Sequence, residues 1–361
     1  MKMGSDEVSG VAAATAPLVV RRLQVGDVAA VARWEAFVAE CPQATFFHRA
    51  GWQRVIADVF RHPTYFLYAE RAGRVEAVLP LAHVKSMLFG NALVSLPFAV
   101  YGGVAADSQD AARMLEEEAQ ALARRLGVDH LELRNVRQRH PEWPQQNLYV
   151  RFRRTIAPEP EANMLAIPRK QRAMVRKGMK SGLRSEIDAD SRRFFALYAD
   201  NVHRHGTPAL PRRYFDQLLQ VFAGSCDIMT VVDAAGRPVS SVLSFYFRDE
   251  VLPYYAGDEP SARHLAANDF KYWELLRRAC ERGLKVFDYG RSKRDTGSYS
   301  FKKNWGFEPE PLFYEYCLYR REAVPQNNPS NTKYRLLINT WQQLPIGLAN
   351  WLGPFIVRNL G

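Results

Sequence analysis

The chain has 361 residues, 47% of them hydrophobic and 24% charged, and a formal net charge of +11. This composition excludes a disordered or fibrous polymer and supplies apolar surface for two cores, at roughly 100–200 residues per domain. The positive balance fits an anionic partner: RNA, a phosphorylated substrate or an acidic membrane surface.

Taken in chain order, residues 1–17 are small and polar, lack the basic-then-apolar order of a secretory signal, and are expected to be disordered. Strands are expected at 18–23, 64–71, 75–85 and 93–101, with a turn at Ala72-Gly73. Helices are expected at 28–40, 50–60 and 108–126, and a strand at 130–134 closes this half. Ala157-Pro158-Glu159-Pro160-Glu161 reads as a linker. The second half repeats the order, with helices at 168–182, 192–203, 212–222 and 268–282 and strands at 228–233, 239–248, 251–256 and 285–289. Tyr101-Gly102-Gly103 leads through a helix to Gly127 and a strand. Tyr255-Ala256-Gly257 leads through a helix to Gly283 and a strand. Gly127 and Gly283 suit left-handed helix ends. The expected domains are 18–156 and 157–321, followed by a loop and helical tail over 322–361.

Cys41, Cys226, Cys280 and Cys317 form no C-x-x-C pair and are expected to be reduced thiols. No H-E-x-x-H pattern occurs, and His203 and His205 read as a surface helix end, so no metal is expected. No run reaches the ~18 apolar residues of a membrane span, and a cytoplasmic protein is expected. The G-x-S-x-G elbow, the Walker A loop and a helix-opening G-x-G-x-x-G are absent.

Two segments carry chemistry. Residues 168–185 contain Arg169, Lys170, Arg172, Arg176, Lys177, Lys180 and Arg184 with no acidic neighbour among them. Arg169, Arg172, Arg176 and Lys180 share a helical face, and Val175, Met179 and Leu183 form an apolar stripe on another. That face reads either as solvated or as a cradle for phosphates; the missing acids favour the cradle. In the other segment, a buried strand ends at Asp288-Tyr289-Gly290-Arg291. A short helix then opens at Thr296 or Ser298 and closes at Gly306. Phe301 and Trp305 would anchor it, turning Lys302 toward the face of Ser298 and Tyr299. By pattern alone Lys302 also reads as an ordinary surface lysine, and Asp288 as a cap on the turn.

Asp288-Tyr289-Gly290 followed by Phe301-Lys302-Lys303-Asn304-Trp305-Gly306 resembles the D-[FY]-G strand end and F-K-x-x-[FW]-G helix of the FemAB-type aminoacyltransferases. Phe46-Phe47-His48-Arg49-Ala50-Gly51-Trp52, Tyr101-Gly102-Gly103, Ile167-Pro168-Arg169-Lys170-Gln171-Arg172 and residues 290–311 are similar, more narrowly, to FemAB-related proteins of exosortase and PEP-CTERM systems. The resemblance implies an α/β (α+β) fold of two tandem GNAT-like domains with a helical tail. It also implies N-acyl or aminoacyl transfer to a cell-envelope, peptidoglycan or exopolysaccharide precursor. On this reading Lys302 stabilises the tetrahedral oxyanion, and Asp288 orients Lys302 or Arg291 or takes a proton from the amine. Arg169, Lys170, Arg172, Arg176, Tyr255, Tyr289, Arg291, Ser298, Tyr299 and Phe301 form the expected substrate-binding set.

One departure bears on the donor. Acetyl-CoA-dependent GNAT domains carry a [QR]-x-x-G-x-[GA] loop whose backbone N–H groups hold pyrophosphate. Arg263-His264-Leu265-Ala266-Ala267-Asn268 lacks its glycines. No bound cofactor is expected, and the donor is expected to be an aminoacyl-tRNA rather than an acyl-CoA thioester. The expected acceptor is a phosphorylated or lipid-linked glycan. Two other functions fit the sequence: a non-catalytic GNAT pair holding RNA or a lipid-linked glycan, and an acyl-CoA-dependent N-acetyltransferase. The tail carries Trp341, Leu344, Ile346, Leu348, Trp351, Leu352, Phe355 and Ile356, flanked by Arg335 and Arg358. It would either dock on the body or make peripheral contact with the inner membrane.

Overall fold

The computed structural model describes residues 16–86, 90–325 and 332–359, with only the backbone of 332–337. The stretch expected to be disordered and the loop expected at 326–331 lie essentially outside these residues. The chain divides into two units, Met1–Gln146 with Phe313–Val324, and Asn147–Leu312 with Pro325–Gly361.

In chain order, the first unit begins with β1 (Val19–Arg22), α1 (Val28–Glu40) and α2 (Gly51–Val55), the last continuing as a π turn over Ile56–Phe60. Next come β2 (Thr64–Arg71), β3 (Arg74–Ser86), β4 (Gly90–Ser95), β5 (Ala105–Ala106), α3 (Gln109–Leu126), β6 (His130–Asn135) and β7 (Gln145–Gln146). Asp27 caps α1 through its side chain, and Ser108 caps α3. Gly127 ends α3 at φ +62°, where a Cβ would be strained. The apolar stripe of α3, with Leu115, Ala119 and Leu122, packs on Leu67, Leu79, Leu93, Leu131 and Leu133 of the sheet. The strand expected at 93–101 stops at Ser95, because Leu96 and Phe98 take positive φ (+57° and +65°) and turn the chain.

The second unit opens with β8 (Tyr149–Thr155), α4 (Pro160–Ala166), α5 (Arg169–Lys180), β9 (Arg184–Ile187), α6 (Arg192–Arg204) and α7 (Arg212–Val221). It continues with β10 (Cys226–Val232), β11 (Pro238–Phe247), β12 (Glu250–Asp258), α8 (Ala262–Leu265), α9 (Ala267–Glu281), β13 (Val286–Lys293), α10 (Gly297–Asn304) and β14 (Pro309–Pro311). After β15 (Phe313–Leu318), the tail forms α11 (Thr332–Gln343) and α12 (Ile346–Val357). The linker expected at 157–161 instead runs into α4. Pro160 starts that helix, and Asn163 closes the bend by bonding both the N–H and the C=O of Ala157.

The sheet orders are β1-β2-β3-β4-β6-β15-β7, with β5 on β3, and β14-β8-β13-β12-β11-β10-β9. Thus β8 follows the first unit in sequence yet pairs with β13 and β14, while β15 follows the second unit yet pairs with β6 and β7. The expected boundary at 156/157 and the assignment of 313–318 to the second half both change for this reason. Each β7–β8 and β14–β15 connection passes a strand into the other unit's sheet. The repeat seen in the sequence is therefore a repeat of sheets, closed by exchanged strands.

Both sheets splay at the same place. The parallel ladder β12–β13 has two registered pairs, Glu250↔Val286 and Val251↔Phe287, and β4–β6 has three, ending at Val94↔Glu132. In the first unit the opening is filled. Arg134 donates to the carbonyls of Leu96 and Ala99, its own N–H reaches Ser95 Oγ, and Gly103 N–H bonds Arg134 O. Glu315, 0% exposed on β15, accepts from Asn135 Nδ2 and from the N–H groups of Arg139 and His140. Replacing Glu315 by Ala leaves those donors buried and unpaired. It should cost about 3 kcal/mol in urea unfolding of the first unit, although the residue lies far along the sequence. A cost below about 1 kcal/mol would contradict the exchanged-strand account.

Candidate active site

The site is built on a β-bulge. In the β13–β8 ladder Asp288 pairs with Arg153 and Arg291 with Arg151, so Tyr289 and Gly290 together oppose Phe152. Gly290 takes φ +62°, a conformation that favours glycine. Asp288 Oδ1 accepts from Gly290 N at 2.7 Å and caps the bulge. Such a bulge re-aims the backbone, and here the carbonyls of Tyr289 and Arg291 both face one lysine.

That lysine is Lys302, on α10. Thr296 caps the helix by accepting from Tyr299 N, and Gly306 follows its end at φ +80°. Trp305 is fully buried and donates from Nε1 to Asp269 Oδ1 of α9, which fixes the helix axis. Lys302 is consequently buried, at 7% exposure, and the surface-lysine reading of the bare pattern does not hold. Its Nζ donates to Tyr289 O at 2.7 Å and Arg291 O at 3.1 Å, and lies 5.7 Å from the ring centroids of Phe152 and Tyr289. Burial pushes its pKa down to about 7, while the charge of Asp288 pulls the other way. A neutral amine has two N–H bonds, and both would be consumed by the carbonyls. Only the ammonium has a third to offer a ligand.

Several expected residues take other places. Asp288 caps the bulge, and Lys302 bonds the carbonyls rather than this carboxylate. Tyr289 contributes its carbonyl, while its ring sits in the core with Tyr272, Phe287 and Phe307. Tyr255 packs among Tyr198, Tyr214 and Phe215, and its hydroxyl pairs with Tyr214 OH at 3.1 Å. It is half-buried and in contact with α6 and α7. Tyr299 meets Phe152 edge-on, and Phe301 packs on Tyr272 and Trp305, so both hold α10 in place. Ser298 is exposed and its hydroxyl bonds Ser292. The Arg291 guanidinium stacks over Tyr149 at 4.6 Å.

The basic face is as the sequence suggests. On α5, Arg169, Lys170 and Arg176 are exposed and Arg172 is half-buried, and none forms an ion pair among the described residues. The helix starts beside the end of α10, where Pro168 lies against Gly306. Its far half is pressed on α9, since a Cβ at Gly178 would stand 2.7 Å from that of Phe270. The α9 N-terminus, where a CoA-type loop would sit, opens on Ala266 at φ +58° without a side-chain cap and carries Asp269 in its first turn. Burial raises the pKa of Asp269.

Sequence reasoning missed three groups. Phe152, beneath Lys302, belongs to β8, whose alternation of Val150 and Phe152 with Arg151 and Arg153 is a period-two strand signal. Arg154 lies over Phe307 at 4.3 Å, donates to Gly306 O, and is lowered in pKa by burial with no carboxylate partner among the described residues. Lys271, 0% exposed on α9, donates to Asp258 Oδ1 at 2.8 Å, an atom that also accepts from Ser240 Oγ. No local pattern marks these last two. Among the described residues no cluster suited to a metal ion occurs.

Lys302 makes stability depend on pH. Its folded pKa, about 7, lies below the ordinary 10.5, so the unfolded chain binds more protons between these values. The burial cost is full below about pH 7 and is relieved as pH rises toward 10.5. Relative to Lys302→Met, wild type should gain on the order of 3–5 kcal/mol across that window in urea melts. A pH-independent difference would show an unshifted lysine.

Residues 169–303 match the family model described as an acetyltransferase (GNAT) domain. No curated protein matches the chain. Among solved structures it is similar to FemX, at 13% identity and a TM-score of 0.65, covering 82% of this chain and 97% of that one. L-PGS from Bacillus licheniformis gives 13% identity and a TM-score of 0.54, with 89% and 100% covered. A tandem GNAT protein from the clavulanic acid biosynthesis pathway gives 14% and 0.53, with 86% and 100% covered. These likenesses establish the fold. Residues 169–303 match a GNAT domain model, and they stand within a chain that has the tandem GNAT-like fold.

Proposed function

We propose that the second unit transfers an aminoacyl or N-acyl group from a polyanionic donor to an amine on a lipid-linked or phosphorylated envelope precursor. The observation that carries this reading is the Lys302 ammonium, held by two carbonyls with one N–H to spare. The acceptor amine attacks the acyl carbonyl carbon and forms the new C–N bond. The carbonyl oxygen becomes an oxyanion, and the third N–H of Lys302 stabilises it. Collapse breaks the bond to the donor's oxygen, and that leaving group takes up the proton released by the amine. A fixed donor of this kind contributes on the order of 3 kcal/mol to the transition state. Asp288 acts through the bulge, as a positioning residue, because its Oδ1 is engaged by Gly290 N–H.

The unpaired cations of α5 support a donor with several phosphates, and an aminoacyl-tRNA fits. Several features weigh against a CoA thioester: the glycine-free start of α9, its Asp269, and the close packing of Gly178 on it. The C-terminal domain of a putative lysylphosphatidylglycerol synthetase from Agrobacterium fabrum, similar in fold, lends support by name to aminoacyl chemistry and a lipid-borne acceptor.

Labelled aminoacyl-tRNA and acyl-CoA, each incubated with envelope extract with and without RNase, test the donor. RNase-sensitive incorporation is expected, and RNase-resistant transfer from the thioester would move the protein to the CoA-dependent class. Binding of either donor without turnover would indicate a non-catalytic pair. With the working donor, Lys302→Met should lose about 100-fold in kcat. Because the ammonium is the active form, kcat/KM should fall as pH rises through about 7. Activity that keeps climbing to about pH 9 would assign Lys302 another role.

A further inference from the structure

The terminal helix α12 is apolar on two sides, and only one is covered. Ala349 and Gly353 are buried, and a Cβ at Gly353 would stand 3.0 Å and 3.2 Å from the backbone O and N of Ala209, so small residues let the helix settle on the loop before α7. On the opposite side Leu348, Trp351 and Phe355 follow the i, i+3, i+7 spacing of one face. They stand 42%, 65% and 60% exposed, with the Trp351 and Phe355 rings 6.0 Å apart. The helix is docked, yet it turns its largest apolar side chains to solvent.

What covers that stripe is narrowed by area and charge. The three side chains expose on the order of 300–400 Å², well under the roughly 800 Å² per partner of a stable protein interface. Residues 323–361 include Lys333, Arg335 and Arg358 and no Asp or Glu. A twelve-residue helix is too short to span a bilayer, but it can lie in the interface, where Trp and Phe enter the headgroup boundary and the positive balance of this acid-free segment favours anionic lipids. We infer that the Leu348–Trp351–Phe355 face of α12 docks the second unit on an anionic phospholipid surface. The inference is independent of Lys302 and its chemistry, and it would bring the proposed site to a membrane-borne acceptor.

Flotation of the full chain with vesicles tests it, using phosphatidylcholine alone or mixed equally with phosphatidylglycerol. Wild type should float with the mixed vesicles, bind the neutral ones much less, and be released by salt. The double variant Trp351→Ser/Phe355→Ser removes exposed side chains only. It should keep the wild-type melting curve and lose about tenfold or more in vesicle partitioning. Lys302→Met should float like wild type, which separates failure of docking from failure of transfer. Equal flotation of the double variant, absence of wild-type flotation, equal binding to neutral vesicles, or a wild-type dimer that the double variant converts to monomer would each overturn the inference.

Discussion

The Lys302 ammonium spans the carbonyls of Tyr289 and Arg291, and the rest of the second unit can be understood as what that contact requires. On a regular strand carbonyls two residues apart stand roughly 6.5–7 Å from each other, too far for one ammonium to bond both at 2.7 Å and 3.1 Å, so the strand is bulged between them. The bulge needs Gly290 at positive φ and Asp288 to hold its N–H. It also needs a neighbour one residue shorter, and β8 is that neighbour. The lysine must approach from a rigid direction, which Trp305 and its bond to Asp269 supply. A buried ammonium is costly, and the two carbonyls and Asp288 compensate it only in part, leaving a group poised to lose or share its proton near neutrality.

A similar sheet occurs twice in the chain, but the described residues of the first unit hold no such device. Its splay after Val94 and Glu132 is filled by Arg134, whose guanidinium bonds Leu96 and Ala99 O, and by the return of the chain at Gly103. The equivalent strand of the second unit carries the bulge instead. The difference lies in a few residues after each strand, and on the proposed function it sets the two copies apart. Return of β15 then makes the first sheet dependent on both halves of the chain.

Long periodic elements were legible in the sequence, because α1 and α3 have side-chain caps, α6 and α9 have apolar faces, and the β2–β3 and β10–β11 hairpins have turn residues. The turn and short helix around Lys302 were legible too, since Gly290, Thr296, Trp305 and Gly306 each have a local reason. Strand exchange was not legible. β8 alternates and β15 does not, and nothing local says which sheet receives them. For the same reason the burial of Lys302 beside Phe152 could not be read from 286–309 alone, and Tyr255 looked like a cleft residue although its ring is claimed by helices distant in sequence. The aromatic anchors placed Phe301 and Tyr299 near the site, but as its frame.

The account rests on a lysine whose proton is loosely held at neutral pH because its surroundings are apolar and its acceptors are neutral carbonyls. Its εCH2 resonance, assigned by comparison with Lys302→Met and followed by NMR as a function of pH, reads that state directly. The account predicts a midpoint near 7, moving upward when a polyanionic donor binds. A midpoint near the ordinary 10.5, unchanged by donor, would contradict it.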